Sequence, residues 1–461
     1  MRSTPELDAR AGLEKLATYP FVVLTWVDDA GYPVGVAVEA TFDPGGPSAS
    51  FAAPTGLLVP TDREVSLSGS HIRPQPGYGY DERRHVTVWG NAAVDGGRIT
   101  LAGRRAWGWD ESEVPFFEYS ERSTGQSRRY FDALSRERGT PVKPRLSPGF
   151  LALRTTRLPF LSATIVPVLL GIVIAASHGS FDVAAAVLTV IGASFAQLAI
   201  NVSNDVFDAL QGADDANVTP TQFSGGSRVI QYGLVTFRQM ATLATALYLA
   251  AAAVGLVLLL LRGSIALLVI GLIGFIVGLG YTAPPLKFVY RGLGEIAVAV
   301  GFGPLMLLGA YVVQTQGVLR WEPFVASIPV ALLVALILYV NEIPDRRGDA
   351  HAGKRTLPVR FSPRTVVTGY RVAVGAAYAV TILAVVAGVL PIPTLLLLLS
   401  IPLARRVSSG LVPNYENPYG LMAVMGVNIK LHVVAGVLLI LAYALVLLAA
   451  ALAPGVDLFL G

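Results

Sequence analysis

The sequence predicts a multi-domain chain: a soluble, mainly-β, barrel-like N-terminal domain followed by an all-α polytopic membrane bundle of nine transmembrane helices. Three observations carry this. Of 461 residues, 53% are hydrophobic and only 14% charged, whereas soluble domains carry roughly 25% charged residues. The charge is front-loaded: residues 1–158 hold 19 Lys/Arg and 19 Asp/Glu, leaving 16 and 12 for the other 303 positions. From about residue 159 onward, apolar runs near the roughly 20 residues needed to cross a bilayer recur at short intervals.

The front part reads as short strands broken by turns. "PFVVLTWVDDAGYPVGVAVEATFDPGGPSASFAAP" is interrupted at "DDAG" and "DPGG", and "RRHVTVWGNAAVDGGRITLAG" at "DGG"; all three are turn signals between β-rich runs. "SEVPFFEYSERSTGQSRRYFDALSRERG" is charged and helical in pattern. The expected domain covers 1–138. Residues 139–150, "GTPVKPRLSPGF", with three prolines and two glycines, read as a linker to a membrane domain over 151–461. The start, "MRSTPELDARAGLEKL", lacks the apolar stretch of a signal peptide, so this domain is expected to stay in the cytoplasm.

Nine apolar runs follow, at about 159–178, 183–203, 239–261, 264–281, 295–314, 323–341, 366–389, 391–404 and 432–453. The loops after even-numbered runs carry Arg228, Lys287, Arg291, Arg346, Arg347, Lys354, Arg355, Arg360, Arg364, Arg405, Arg406 and Lys430. Those after odd-numbered runs offer Arg262 and Arg320. The positive-inside rule places the basic side in the cytoplasm and, with an odd number of spans, the C-terminus opposite. The chain is thus expected to be a multi-pass protein of the cell (inner or plasma) membrane. Excess positive charge in such loops is explained by topology and anionic lipid, so no nucleic acid is expected as a partner. Cysteine is absent, which excludes disulfides and thiolate chemistry.

Two acidic motifs end apolar runs. In "NVSNDVFDALQGADDAN", Asp205 and Asp208 are three apart and share a helical face, with Asn201 one turn earlier and Asn204 adjacent. In "YVNEIPDRRGDAHAGKRTLPVR", Asp345 and Asp349 are four apart, with Asn341 one turn before Asp345. The pair reads as an internal repeat, Asn-x-x-x-Asp followed by a second Asp, four spans apart. Carboxylates gathered at a membrane edge repel unless a cation lies between them, and hard cations such as Mg²⁺ take carboxylate oxygens completed by phosphate. Basic residues for the outer oxygens of a diphosphate are at hand in Arg228, Lys287, Arg291, Lys354 and Arg355. Gly225 and Gly226 allow backbone N–H groups to approach an anion. A single acidic pair would be read as a solvated edge; two matched pairs on one side point to a site. Taken alone, Lys287 and Arg291 set topology, and Tyr281 and Tyr290 belong to an interfacial aromatic belt. Asp215 reads as solvated.

These residues resemble the UbiA-type intramembrane prenyltransferase superfamily. Asn204, Asp205 and Asp208 resemble its Asn-Asp-x-x-Asp signature. Gly212 and Asp214, with "SGGSRVIQYGLVT", "YTAPPLKFVYRGLGE", "GFGPLMLLGAYVVQT" and "GKRTLPVR", are similar to the 1,4-dihydroxy-2-naphthoate polyprenyltransferase branch of menaquinone biosynthesis. The resemblance covers about 150–461. It implies a central cavity open to the cytoplasm and to lipid, an isoprenyl diphosphate and an aromatic acceptor as substrates, and Mg²⁺ as cofactor. By resemblance Asp205, Asp208, Asp345 and Asp349 hold metal, Asp214 is a secondary ligand, and Asn201 and Asn204 assist. Lys287, Arg228 and Lys354 would stabilise the leaving diphosphate, and Ser227, Arg291, Arg355 and Tyr281 complete the diphosphate-binding set. Small-residue runs "GLIGFIVGLG" and "AVAVGFGP" suit a tunnel for the prenyl tail or, equally, close helix packing. One departure is Glu342, where many members of the branch carry a second Asn; it bears on the acceptor.

The front domain resembles the flavin-binding split barrel related to pyridoxamine 5′-phosphate oxidase, through "FVVLTWVDDAGYPVGVAV" and "HVTVWGNAAVDGGRITL". This implies FMN as a conceivable ligand of His71, Arg73 and Arg84, although a solvated face explains those residues better. Two other functions are weighed against prenyl transfer. A transporter would gather its ion sites near the bilayer midplane, whereas these lie at span ends. A silent lipid-binding protein does not need intact aspartates in both clusters.

Overall fold

The computed structural model describes residues 6–75, 79–144, 146–217, 220–452 and 458–460. Arg145 of the expected linker, residues 1–5 of the front domain and position 453 of the ninth run lie outside them. The chain divides into two compact units, Met1–Tyr130 and Phe131–Gly461.

The first unit is a half-barrel built on one antiparallel sheet of eight strands. They are β1 (Glu6–Leu7), β2 (Val22–Val27), β3 (Pro33–Val38), β4 (Thr41–Phe42), β5 (Ser48–Ala52), β6 (Glu64–Gln75), β7 (Gly79–Asp95) and β8 (Arg98–Asp110). Their order is β3-β2-β6-β7-β8-β5-β4, with β1 also on β8. Each turn signal joins two strands as expected: "DDAG" links β2 to β3, "DPGG" β4 to β5, and "DGG" β7 to β8. Gly96 and Gly97 both take positive φ, 51° and 82°, which a two-residue hairpin turn of this hand requires. Alternation places Val22, Leu24 and Trp26 of β2, Leu67 of β6, Val88 of β7 and Leu101 of β8 in one core, closed by Leu13 and Leu16 of the helix Ala9–Leu16. The charged helix spans Phe116–Arg138.

Among the described residues of the second unit, seven helices are long and apolar enough to cross a membrane: Val183–Leu210, Phe237–Arg262, Gly294–Gln314, Trp321–His351, Pro363–Val386, Ile392–Asn414 and Gly420–Leu452. Two shorter apolar helices, Ser162–Ser177 and Ile265–Gly280, occupy the first and fourth predicted runs. At about 1.5 Å per residue each falls a little short of a roughly 30 Å hydrocarbon core. The expectation of nine full-length spanning helices is therefore met by seven, plus two short ones.

Helix ends follow local chemistry. Asp182 caps the 183–210 helix by accepting from Ala185 N, and Thr236 and Gln239 form a reciprocal capping box on the next. The 321–351 helix is central: 67% of its most apolar stretch is buried within the protein, against 11% for Phe237–Arg262. Gly303 shows how closely its neighbour approaches, since a Cβ there would fall 2.3 Å from that of Ala331. Close packing thus accounts for one glycine of "AVAVGFGP". Asn428 ties the core by donating to Leu336 O (2.8 Å) and accepting from Tyr370 Oη (2.9 Å).

Candidate active site

Both acidic motifs are helical, as their spacing predicts, and one cavity takes lining from each: Asp208 from the first, Asp345 and Asp349 from the second, while Asp205 lies behind it. Asp205 and Asp208 lie on the last turns of the 183–210 helix, and Asp345 and Asp349 on those of the 321–351 helix. The cavity is lined by Asn201, Asn204, Asp208, Asp214, Tyr281, Asn341, Glu342, Asp345, Asp349 and Lys354 on its polar side. Phe160, Val298, Phe302, Val334, Ile337 and Leu338 form its apolar side.

Between the two motifs runs the loop "SGGSR". Gly225, Gly226 and Arg228 take φ of 76°, 74° and 61°, and this left-handed run turns backbone N–H groups inward. They meet anions that the protein itself supplies. Gly225 N donates to Asp345 Oδ2 at 2.8 Å and Ser227 N to Asp205 Oδ2 at 3.1 Å. Asn217 Nδ2 donates to the other Asp345 oxygen at 2.8 Å, and Arg157 pairs with Asp205. A Cβ on Gly226 would lie 2.9 Å from Asp214 Oδ1, so the loop is packed tightly against this carboxylate.

Lys354 joins the motifs. Its Nζ lies 2.9 Å from Asp208 Oδ2 and 3.7 Å from Asp349 Oδ1. Burial, the largest single influence, pushes its pKa down, but Asp208, Asp349 and Tyr290 together outweigh it and hold the ammonium well above the usual lysine range. Tyr290 Oη donates to Asp208 Oδ1 at 3.0 Å. Asp214 is 5% exposed; burial first, then repulsion from Asp208 and Asp205, raises its carboxyl well above the usual range. Among the described residues, its Oδ2, with Asn204 Oδ1 and Asn341 Oδ1, is buried without a hydrogen-bond partner.

Other predicted residues sit elsewhere. Arg228 donates to the backbone oxygen of Asp214, bracing the loop. Lys287 lies with its Nζ 5.4 Å from the Tyr290 ring centre. Arg291 donates to Pro285 O at 2.8 Å, and Arg355 is exposed. Asp205, Ser227, Arg228, Lys287, Arg291 and Arg355 are not among the cavity-lining residues, and Asp215 is exposed. Arg157, Asn217 and Glu295 escaped the sequence reading, and Tyr290 was assigned there to an aromatic belt. Among the described residues, no three acidic or histidine side chains surround a single point closely enough to hold a metal unaided.

The UbiA prenyltransferase family model matches residues 164–417, more than half the chain, and contains both motifs and the loop between them. The chain belongs to the UbiA prenyltransferase family. It is an enzyme that transfers prenyl groups. A 1,4-dihydroxy-2-naphthoate octaprenyltransferase of Bacillus subtilis is 28% identical over 306 residues, covering 65% of this chain and 94% of that protein. A 2-carboxy-1,4-naphthoquinone phytyltransferase of Synechocystis is 26% identical over 309 residues, covering 66% and 97%. Among solved structures, a UbiA homolog from Archaeoglobus fulgidus bound to DMAPP and Mg²⁺ aligns with TM-score 0.45 at 15% identity, over 64% of this chain and 98% of that one. UbiA membership removes the transporter reading.

In the first unit, Arg73 pairs with Asp81 (2.9 Å) and Glu82 (2.9 Å), His71 approaches Glu82 (3.4 Å), and Arg84 lies over the Tyr19 ring.

Proposed function

We propose that this enzyme transfers a polyprenyl group from an allylic isoprenyl diphosphate to 1,4-dihydroxy-2-naphthoate, at a site on the cytoplasmic side of the membrane. The observation that carries the reading is the meeting of both Asn-x-x-x-Asp helices in one cavity that is charged at one end and apolar at the other. The naphthoate acceptor is favoured by the names of the relatives and by the menaquinone-branch motifs.

Magnesium fits the donor set. Every candidate ligand is a hard oxygen, and the unpartnered oxygens of Asp214 and Asn204 await a cation or a donor. Mg²⁺ ordinarily takes one or two carboxylates and completes its shell with substrate phosphate and water, so a cavity without a ready three-carboxylate cage suits it. Asp205, Asp208, Asp214, Asp345 and Asp349 would hold it, with Asn201 and Asn204 beside them. When bound, it neutralises the diphosphate and makes it a better leaving group.

The chain's own residues do the rest. Lys354, already charged between two carboxylates, is placed to hold the diphosphate as its bond to the allylic carbon breaks. Phe160, Val298 and Phe302 take the prenyl tail and keep water from the cation that forms. The electron-rich ring attacks that carbon, and loss of the acceptor's carboxylate as CO₂ restores aromaticity, leaving prenylated diol and diphosphate. In this arrangement all nine apolar helices cross the bilayer, the two short ones with flanking residues. The basic loops face the cytoplasm, and the C-terminus lies on the other side.

The first unit, by its resemblance, is a split barrel with at best weak flavin affinity, either a degenerate barrel that binds nothing or a regulatory partner; a yellow, stoichiometric flavoprotein on purification contradicts this. The test of the main proposal is turnover in membranes with Mg²⁺, a labelled prenyl diphosphate and a panel of aromatic acids. A prenylated product that has lost CO₂ supports it. Prenylation with the carboxylate retained moves the enzyme to another acceptor class.

A further inference from the structure

Glu342 has no part in diphosphate binding as described above. It sits three residues before Asp345, about 4.5 Å further along the helix from the charged end, where Ile337, Leu338, Val298 and Phe302 wall the cavity. It is 5% exposed and lines the cavity, and among the described residues no amide, hydroxyl or cationic side chain donates to either of its oxygens. Its carboxyl group faces that of Glu295, which is 7% exposed on the Gly294–Gln314 helix and accepts from Leu357 N at 2.9 Å. Tyr281 stands beside both.

A buried carboxyl group without a donor is costly, and two facing each other out of water repel unless a proton lies between them. With that proton shared inside the pair, Glu342 offers the ligand its remaining lone pairs, which are acceptors. A hydroxyl group, by donating, satisfies one of them. A second carboxylate does not, since it adds negative charge where two carboxyls already meet. The place is also right: a ring held one helical turn below the diphosphate reaches the carbon that the diphosphate leaves.

We infer that Glu342, backed by Glu295, is the acceptor-binding residue of this cavity. It takes a hydrogen bond from a phenolic hydroxyl of the aromatic acceptor and turns any acceptor carboxylate away from itself. The inference rests on the prenyl-transfer reading above and names its acceptor contact.

The test compares the full-length enzyme with Glu342→Gln and Glu342→Ala in steady-state turnover, varying dihydroxynaphthoate and prenyl diphosphate separately. It includes acceptors in which one hydroxyl is a methyl ether. Removing a buried hydrogen bond to a charged or shared-proton group predicts a rise in acceptor KM of roughly ten- to a hundredfold. The diphosphate KM stays near its original value, and the discrimination against one methyl ether collapses. An acceptor KM that does not move, an equal rise for both substrates, or unfolding of both variants in a thermal melt overturns the inference and makes Glu342 structural. If the unaltered enzyme prenylates no aromatic acceptor at all, the underlying reading falls first and this one with it.

Discussion

Lys354 Nζ lies 2.9 Å from Asp208 Oδ2, although 146 residues separate them. This contact, more than either acidic motif alone, makes the two helix ends a single site. It also places a cation where the chain otherwise concentrates carboxylates.

Replacing Lys354 by Gln is therefore expected to do two things. It leaves Asp208 and Asp349 facing each other without a counter-charge, which costs on the order of 3 kcal/mol of stability and is read as a lower unfolding midpoint. It also removes the charge beside the leaving diphosphate, lowering kcat by roughly a hundredfold or more. A variant that melts lower but turns over normally would assign Lys354 to structure alone.

How much of this was legible in the sequence depends on whether the signal is local. The Asn-x-x-x-Asp repeats, the turn signals and the apolar runs are patterns within a few residues of one element; the repeats are helical, the turn signals join strands, and seven of the nine apolar runs form helices long enough to span. Arg157 carries no such signal. It reaches Asp205 from 48 positions away, from a residue held at φ 52° between two helices, and nothing in "LRTTRLPF" announces that. Asn217 and Glu295 are likewise brought in from other elements by tertiary packing. Lys287 and Arg291 show the converse: they adjoin a recognisable motif, while the loop sets one 5.4 Å from the Tyr290 ring centre and bonds the other to its own backbone. The two short helices differ from the predicted spans for a simple reason, since hydropathy marks where a helix is greasy but not where its hydrogen bonding stops.

Asp205→Ala and Asp345→Ala, one from each motif, are each expected to abolish prenyl transfer. Asp205 anchors Arg157 and the Ser227 amide, and Asp345 anchors Asn217 and the Gly225 amide, so each change disturbs the loop as well as the metal set. Asp→Asn at either position keeps the shape and removes the charge, which separates the two effects. Retained turnover in either purified Asn variant, with the fold confirmed by size-exclusion chromatography, would contradict the metal assignment for that residue.

The first unit should lose stability in acid for a reason located at His85. Its imidazole packs against Trp107 with centroids 4.6 Å apart and near Trp109 and Tyr119, and burial lowers its pKa. An unfolded chain takes the proton at pH about 6.5, before the folded one does. The contribution is complete above that pH and is lost as pH falls toward the depressed folded value. Tryptophan fluorescence of the full chain should report an unfolding midpoint that falls as pH drops below roughly 6.5. His85→Gln should flatten that slope, and an unchanged slope would place the acid sensitivity elsewhere.

Gly226→Ala tests whether the loop between the motifs must hold its unusual backbone. The position has φ 74°, a region where a side chain is strained by roughly 1 kcal/mol or more. The added Cβ would also fall 2.9 Å from Asp214 Oδ1 and 3.2 Å from Arg157 Nη2. Both neighbours are short of room, so the strain is relieved by moving the carboxylate or the guanidinium, and either shift disturbs the Asp205 and Asp214 ends of the site. Turnover should therefore fall at least tenfold, since small misplacements at a reacting centre are amplified into rate, while the melting temperature changes by only a few degrees. Gly125→Ala, on the exposed charged helix with nothing within 4 Å of its Cβ, serves as the control and should leave turnover unchanged. Equal turnover in Gly226→Ala would show that the loop tolerates another geometry and that the amides reaching Asp205 and Asp345 are not needed for catalysis.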